Sequence, residues 1–413
     1  MGSALPSYAE AAAMVAKHAA EVARHPARER VELEHAAGRV LAAALDADRD
    51  QPPFPRSTRD GFACRAAEAN THNALEVAGS IHAGQAPAGP LPEGSAWEIM
   101  TGAAVPEGAD AVAMIEHVER TFDAVRLLRP RTLDRGENIV PQGAEARAGD
   151  EVLAAGTRLG PQHIALAAAC GHAVVEVFRR PRVAILTTGD ELVPVASAPG
   201  PGQIRNTNGV MLASLVAHAG GEPWILPSAA DNERALESAL REALAADMLL
   251  ISGGVSAGRF DLVEPTLARL GARFHFTGVR IQPGKPLVFG EVGHSNRETK
   301  KFFGLPGNPI SSAATFLLFG SRIVGALAGQ AQGGPRFGLA QLARDVKGKH
   351  DLTRFVPSFC TFNPAAEELA EVNTVSSQGS GDLASFSRCN CFLQVPEGTD
   401  RLKAGSIVRI LHI

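Results

Sequence analysis

The sequence predicts a multidomain fold of the α/β plus β class. At 413 residues the chain is long for one hydrophobic core, so roughly two to four domains are expected. Apolar strands alternate with helices over 182–327, which is typical of βαβ units around a doubly wound, mostly parallel sheet. Segments rich in Pro and Gly, at 51–147 and beyond 335, carry short apolar runs and indicate β-rich modules.

Composition argues against several classes of protein. The hydrophobic fraction of 45% and the charged fraction of 20% are those of an ordinary globular protein. A formal net charge of -4 argues against a nucleic-acid binder, which usually presents a basic face. The five cysteines include no C-x-x-C pair and are expected to be free thiols in a reducing cytoplasm. The N-terminus lacks a basic region followed by an apolar stretch, and we find no run of about 18 apolar residues, so neither a signal peptide nor a membrane span is expected.

Periodicity and capping signals predict the individual elements. Ser7 and Glu10 form a capping box that begins a helix over 7–25, and Pro26 ends it. Further helices are predicted over 208–219, 231–245 and 310–327. The predicted strands are RVAILTT, PWILP, DMLLI and KFFGL, with SIVRIL near the C-terminus beyond a linker over 328–335.

Three polar turns follow predicted strands and are the first candidates for a binding site. They are TTGDE at 187–191, SGGVS at 252–256 and PGNP at 306–309. Ligands of a doubly wound sheet bind outside the carboxyl ends of its strands, where backbone N–H groups of such turns can hold anions. Asp190 and Glu191 offer the hard oxygen ligands that Mg²⁺ prefers. One such turn alone is equally typical of ordinary chain reversal, but three on one sheet favour a site.

Other candidate residues have a structural interpretation beside the functional one. Asp261 could cap a helix with Glu264 as its capping-box partner. Alternatively, Glu264 caps the helix with Pro265 in the first helical position, which leaves Asp261 free to face a ligand. Lys285 in QPGKP is either preorganised for an anion or simply solvated. Asp60 and Thr101 are turn residues first and candidate site residues only in second place.

The 13 histidines show neither a Ser-His-Asp spacing nor a His-metal spacing. Nucleophilic hydrolysis is therefore not expected.

Taken together and in order, the motifs resemble those of the molybdopterin molybdenumtransferase (MoeA) family, the bacterial relatives of the gephyrin E domain. Two long blocks carry the resemblance, PPFPRSTRDGFA at 52–63 and IMTGAAVPEGADAV at 99–112. Shorter counterparts follow in the family's order: TGDEL, GQIRNTN, SGGVSAG, IQPGKP, GLPGNPIS and the late QGS and NCF. The resemblance covers nearly the whole chain.

The resemblance implies four domains. They are an elongated connector at 27–50 and 148–177, a mixed β-rich domain at 51–147, an α/β molybdopterin-binding domain at 1–26 and 178–330, and a β-barrel at 331–413. The α/β domain is expected to have the three-layer architecture of molybdopterin adenylyltransferases. A homodimer is also implied, with the site in a cleft at the subunit interface.

The implied reaction takes adenylylated molybdopterin and molybdate, inserts molybdenum and releases AMP with the help of Mg²⁺. Its implied partners are molybdopterin adenylyltransferase and molybdenum enzymes or their chaperones, without nucleic acid or membrane. The catalytic set implied position by position is Asp60, Thr101, Glu191, Asp231 and Asp261, of which Glu191 and Asp261 hold the metal. The substrate-binding set is Thr188, Gly189, Asp190, Asn208, Ser252, Gly253, Gly254, Ser256, Arg354 and Ser380. The molybdate-binding set is Arg280, Lys285, Pro306 and Pro309.

Several positions depart from the family pattern. The most prominent are Arg59, Asn206, Arg259 and Gln282. Gln282 replaces a lysine, and Arg280 lies two residues earlier, on the same face if this segment is a strand. The departures leave a second hypothesis open, a non-catalytic protein that binds or scaffolds molybdopterin or the molybdenum cofactor. A third, adenylylation of molybdopterin, is disfavoured because SGGVS is the transferase form of this turn and because of the additional β domains.

Overall fold

The computed structural model describes residues 5–23, 26–254, 262–293, 299–361 and 369–413. The chain forms two compact units, each described separately below. Unit 1 comprises Met1–Arg30, Gly38–Ala42 and Glu176–Ile413, and unit 2 comprises Val31–Ala37 and Ala43–Val175. The finer division into four domains stays a prediction.

The helices of the described residues are short to medium in length. They are α1 (Tyr8–Val22), α2 (Ala66–Thr71), α3 (Pro161–Ala169), α4 (Thr207–His218), α5 (Glu233–Ala243), α6 (Val263–Arg269), α7 (Pro309–Thr315), α8 (Ser321–Leu327) and α9 (Leu383–Phe386). A π-helical turn at Phe316–Gly320 joins α7 to α8, and 3₁₀ turns occur at Leu33–His35 and Ile115–His117.

The strands of the first half of the chain are β1 (Arg28–Glu32), β2 (Leu45–Asp46), β3 (Arg56–Ser57), β4 (Gly61–Cys64), β5 (Leu75–Ile81), β6 (Ser95–Ile99), β7 (Ala111–Met114), β8 (Val118–Arg120), β9 (Ala124–Leu127), β10 (Ile139–Val140), β11 (Glu151–Leu153), β12 (Val174–Phe178), β13 (Arg182–Thr187) and β14 (Leu192–Val193). Those of the second half are β15 (Ile204–Arg205), β16 (Glu222–Ile225), β17 (Met248–Ser252), β18 (Arg273–Thr277), β19 (Ile281–Gln282), β20 (Val288–Val292), β21 (Lys300–Leu305), β22 (Phe337–Leu342), β23 (Val346–Lys347), β24 (Thr353–Thr361), β25 (Glu371–Thr374), β26 (Cys391–Val395), β27 (Arg401–Leu402) and β28 (Ile407–His412).

The main sheet of unit 1 has the strand order β16-β13-β17-β21-β20-β18. Its first four strands are parallel, as predicted. β18 and β20 add antiparallel pairings that the sequence did not predict, so the sheet is mixed.

Helices cover both faces of this sheet, which makes unit 1 doubly wound around it. Alternate residues of each buried strand enter different layers, because successive side chains of a strand point to opposite faces. On β13, Val183 and Ile185 pack in the layer that contains α1, α4 and the α7–α8 run. Ala184 and Leu186 pack in the layer that contains α5 and α6.

Helix α1 begins where its capping box predicts. The Ser7 side chain accepts a hydrogen bond from the Glu10 backbone N–H at 3.3 Å, and the Ser7 N–H donates to the Glu10 carboxylate at 2.7 Å. The helix ends at Val22, before the end at residue 25 that was predicted from Pro26.

Of the two caps proposed for α6, Glu264 is wrong. The helix begins at Val263 after Leu262, whose side chain makes no capping hydrogen bond, so Glu264 is inside the helix. Pro265 is in its third position, where the N–H that proline lacks has no intrahelical partner in any case. The alternative cap, Asp261, lies outside the described residues.

The helical run Pro309–Leu327 is, by length and composition alone, able to cross a membrane. In the structure, however, 83% of it is buried, because its apolar residues pack against the main sheet. Its composition is therefore that of a core helix.

The C-terminal region is a closed five-stranded barrel, as predicted. The order β24-β25-β22-β28-β26 closes through the pairing of β24 with β26, and β19 extends it by pairing parallel to β24. The interior is apolar and includes Leu342, Val372, Leu393 and Ile410.

Unit 2 contains a mixed six-stranded sheet of order β7-β4-β6-β5-β9-β8, in agreement with the predicted mixed β module. Its two faces carry separate apolar clusters. Phe62 and Val125 belong to one, and Ile99 and Trp97 to the other. Smaller ladders pair β3 with β10 and β2 with β11.

Substitutions that remove buried side chains should lower the stability of unit 1 most when they lie in its main sheet. We expect Leu250→Ala, at a fully buried position of β17, to lower the free energy of unfolding by about 2–5 kcal/mol, because it leaves a cavity between layers. Unfolding of unit 1 in denaturant is followed by the fluorescence of Trp224 on β16. The other tryptophan, Trp97 of unit 2, is replaced by Phe so that it does not contribute to the signal. The matched control is Leu339→Ala at an exposed position of β22, which should change the free energy of unfolding by less than about 1 kcal/mol. Equal effects of the two substitutions would contradict this assignment of the core.

Candidate active site

The three polar turns predicted from the sequence meet at one edge of the main sheet. Thr187 on β13 lies opposite Ser252 on β17, which lies opposite Leu305 on β21, so the strands end at the same level. An open cleft of about 1070 Å³ lies at this edge. The turn residues that line it are Thr188, Gly189, Glu191, Gly253, Gly254, Pro306, Gly307, Asn308 and Pro309.

The turn after β17 requires glycine at two successive positions. Gly253 and Gly254 have φ values of +97° and +64°, which residues with a side chain rarely adopt. A Cβ on Gly253 would also lie 2.6 Å from the carbonyl oxygen of Thr188. Both glycines line the cleft, so backbone is exposed to a ligand where other residues would place a side chain.

Asn208 joins two of the turns from the first turn of α4. Its Nδ2 donates to the Ser252 hydroxyl at 2.9 Å and to the Gly307 carbonyl at 2.7 Å. Its Oδ1 and the Oγ1 of Thr188 are buried and have no hydrogen-bond partner among the described residues. Since buried polar atoms are nearly always paired, these two atoms are available to a ligand in the cleft they line.

Carboxylates cluster at the β13 side of the cleft. Asp190 accepts a hydrogen bond from the Asp231 backbone N–H at 3.0 Å. Burial raises the pKa of Asp231, and the negative charges of Asp190 and Glu191 raise it further. Such mutual repulsion favours a bound cation, and carboxylate oxygens suit Mg²⁺. Asp261, the predicted partner of Glu191, lies outside the described residues, as do Ser256 and Arg259.

A second cleft, of about 550 Å³, lies between the QPGKP loop, α7 and the barrel. Gln282, Lys285, Arg354 and Ser380 line it. Lys285 is exposed and forms no ion pair within the described ranges. Cationic side chains from two elements thus face one space.

The loop PGNP connects the two clefts. Pro306 and Pro309 line the first cleft, and Pro309 begins α7. The Asn308 side chain donates to the Ser380 hydroxyl at 2.9 Å, and the Ile310 N–H donates to the Ser380 carbonyl at 3.1 Å. Ser380 belongs to the second cleft, so these bonds hold the two cleft walls together.

Arg280 does not join Lys285, although the sequence places it in the molybdate-binding set. Its guanidinium forms an ion pair with Glu397 at 3.1 Å, and the residue is not part of the lining of either cleft. The strand in this segment spans only Ile281–Gln282 and does not include Arg280. The expectation that Arg280 and Gln282 share one face of a strand is therefore not met.

Asp60 and Thr101 form a contact in unit 2. The Asp60 carboxylate accepts hydrogen bonds from the Thr101 backbone N–H at 2.6 Å and from its hydroxyl at 2.8 Å. Both bonds lower the pKa of Asp60. The two residues predicted together are therefore neighbours, on the other unit from the clefts. Arg59 beside them is exposed.

Two asparagines have structural roles that the sequence interpretation missed. Asn206, regarded as a departure, caps α4 by accepting from the Gly209 N–H and also donates to Thr187 Oγ1 at 2.8 Å. Asn308 connects the clefts. An asparagine directly before a helical pattern is a capping signal, so the role of Asn206 was detectable.

The chain matches the models of three families in succession. Residues 6–171 match the MoeA N-terminal region (domain I and II), residues 184–325 a probable molybdopterin binding domain, and residues 340–413 the MoeA C-terminal region (domain IV).

Relatives match over most of their length. The molybdopterin molybdenumtransferase of Nostoc sp. is 34% identical over 397 residues, which are 93% of this chain and 88% of the relative. That of Bacillus subtilis is 35% identical over 395 residues, 93% and 89% of the two chains. The crystal structure of the molybdopterin biosynthesis MoeA protein of Pyrococcus horikoshii has a TM-score of 0.83 at 31% identity, covering 99% of this chain and 100% of that one. This chain belongs to the molybdopterin molybdenumtransferase (MoeA) family.

Proposed function

We propose that this protein is a transferase of molybdenum cofactor biosynthesis, which inserts molybdenum from molybdate into adenylylated molybdopterin and releases AMP. The observation that carries the proposal is the meeting of three polar turns at one sheet edge, with carboxylates on one side and a second, cationic cleft adjoining. The name shared by the relatives supports the substrate class.

In the first cleft, the chain's own groups bind and orient the nucleotide-bearing substrate. The backbone at Gly253 and Gly254 approaches the phosphates, as only a turn without side chains permits. Asn208 and Thr188 offer their unpaired buried oxygens, and Thr188 can also donate its hydroxyl proton. Ser252 and Gly307 hold Asn208 in place, so its orientation is set before the substrate arrives.

The carboxylates fit Mg²⁺. Glu191 and Asp231 would hold the ion, with Asp190 beside them and Asp261 as the further ligand that the family resemblance implies. A bound Mg²⁺ would neutralise charge on the phosphate oxygens as the phosphoanhydride is cleaved. No covalent nucleophile of the chain is required.

The second cleft is the proposed molybdate site. Lys285 and Arg354 supply positive charge for the oxyanion, and Ser380 contributes a hydroxyl. Because Asn308 ties Ser380 to the wall of the first cleft, molybdate and the substrate phosphates would be held at a defined separation.

Further proposals follow from family membership. The protein acts as a homodimer with its site at the subunit interface, which would bring Asp60 and Thr101 into the reaction. It receives substrate from a molybdopterin adenylyltransferase and serves molybdenum enzymes or their chaperones in the cytoplasm.

A non-catalytic scaffold is the second candidate function. Gln282 favours it, since the cationic cleft lacks one positive charge that the family pattern has there. The clustered carboxylates favour the enzyme, because a protein that only binds the cofactor has no need of a site for Mg²⁺.

AMP release tests the proposed function. With adenylylated molybdopterin, Mg²⁺ and molybdate, we expect the purified protein to release AMP, and only when molybdate is present. Glu191→Gln should lower the rate by about 100-fold, since it removes a ligand charge for the metal, whereas Glu242→Gln on the exposed face of α5 should not. Tight binding of the substrate without AMP release under any condition would establish the scaffold instead.

Gly253→Ala tests the phosphate turn. We expect it to weaken binding of adenylylated molybdopterin at least about tenfold, because the added Cβ would collide with the Thr188 carbonyl and shift the turn. Gly271→Ala is the matched control, since Gly271 also has a positive φ, of +83°, but lies outside both clefts. Calorimetry measures both affinities. Equal losses of affinity in the two variants would show that backbone strain alone causes the effect, and would contradict a phosphate turn at Gly253.

Gln282→Lys tests the molybdate cleft. The variant should reach half its maximal rate of AMP release at a molybdate concentration roughly fivefold lower, because it adds a positive charge beside Lys285 and Arg354. Gln341→Lys, on the exposed surface of β22, adds the same charge elsewhere and should change nothing. An unchanged or raised molybdate requirement in Gln282→Lys would place the oxyanion in another part of the protein.

A further inference from the structure

Three side chains of metal-binding type meet in unit 1, away from both clefts. They are His18 on α1, His275 on β18 and Glu291 on β20, and one ligand atom from each lies within 4.8 Å of the others. Glu291 pairs with Lys301 near the amino end of β21, whereas the substrate cleft is at the carboxyl end of that strand. No sequence motif indicates this group, because its members are far apart along the chain.

His275 has an unmet bonding requirement. Its side chain is only 8% exposed, and its Nε2 is buried without a hydrogen-bond partner among the described residues. The same nitrogen lies 3.8 Å from Glu291 Oε2, and the ring stacks on His18 with centroids 4.0 Å apart. Burial, and then the nearby His18, lowers the pKa of His275. A neutral imidazole has a lone pair on one ring nitrogen, so the unpaired Nε2 can bind a metal ion.

A lysine ammonium now supplies the positive charge of this group. Lys301 Nζ lies 2.5 Å from Glu291 Oε2 and 3.2 Å from His18 Nδ1. Glu21 accompanies it, with a carboxylate oxygen 4.0 Å from the ammonium and 2.9 Å from His18 Nδ1. Arg273, 4.0 Å from the other Glu291 oxygen, is largely exposed. The ammonium interacts with Glu291 and His18 but leaves the His275 nitrogen unpaired.

We propose that His18, His275 and Glu291 form a binding site for a divalent transition metal of the zinc class, which Lys301 occupies with its ammonium in the metal-free protein. Two imidazoles and a carboxylate are ligands that suit Zn²⁺, whereas Mg²⁺ and Ca²⁺ prefer oxygen alone. The metal would satisfy the unpaired nitrogen of His275 and replace the charge of Lys301.

A path for this exchange exists beside the site. Glu21, Glu291 and Lys301 line a cavity of about 470 Å³, into which the long side chain of Lys301 moves as the metal enters. The bound ion would connect α1 to the antiparallel strands β18 and β20, so its effect is on stability and not on transfer of molybdenum.

Zinc titration of the full-length, chelator-treated protein tests the site. We expect one equivalent of Zn²⁺ to bind by calorimetry and to raise the temperature of thermal unfolding, while Mg²⁺ does neither. Lys301→Met should bind Zn²⁺ at least about tenfold more tightly, because it removes the competing positive charge. His275→Ala, or His275→Gln if the alanine variant does not fold, should lose this binding. His218→Ala on the exposed face of α4 is the control for zinc bound at surface histidines and should retain it.

Three outcomes would overturn the proposal. They are no zinc uptake by the unmodified protein, equal zinc affinity in the His275 variants, and no gain in affinity in Lys301→Met. Each would show that His18, His275, Glu291 and Lys301 form only an internal ion-pair network.

Discussion

Thr187, Ser252 and Leu305 lie opposite one another on three adjacent parallel strands, and the polar turns that form the cleft begin at the next residue of each. Two backbone hydrogen bonds cross between the strand ends, from the Thr188 N–H to the Ser252 carbonyl and from the Gly253 N–H to the Leu305 carbonyl. A slip of one residue would shift a turn by about 3.3 Å and reverse the layers that its side chains enter. The glycine turn, the carboxylates and Asn208 all depend on this register.

The sequence predicted the parallel core well, because strands buried on both faces are continuous apolar runs bounded by turn residues. It did not predict β18 and β20. Their sequences, RFHFT and VFGEV, contain His275 and Glu291 among apolar residues and lack that continuity. Glu264, one of the two caps proposed for α6, is wrong for another reason, since Pro265 is tolerated in the third helical position as well as in the first.

The site was predictable only as far as local motifs extend. Each turn could be located by its glycines, prolines and carboxylates, and parallel topology then brings the strand ends together. What no local motif contains is a side-chain partner from another element. The ion pair of Arg280 with Glu397 and the bond between Asn308 and Ser380 join residues far apart in sequence, so the side-chain partners became visible only in the folded chain.

The two ends of the buried strand β21 belong to two different sites, the substrate cleft and the proposed metal site. Its carboxyl end leads into the loop that connects the clefts, and its amino end carries Lys301 into the group around Glu291. Apolar residues such as Phe303 and Leu305 fill the length between them. The two ends can therefore be altered independently.

A crystal structure of the protein with adenylylated molybdopterin would show directly whether the cleft at the ends of β13, β17 and β21 binds the substrate. We expect the phosphates to lie within hydrogen-bonding distance of the backbone at Gly253 and Gly254, with Asn208 and Thr188 now paired to the ligand. Phosphates bound outside the cleft at the ends of β13, β17 and β21 would contradict it.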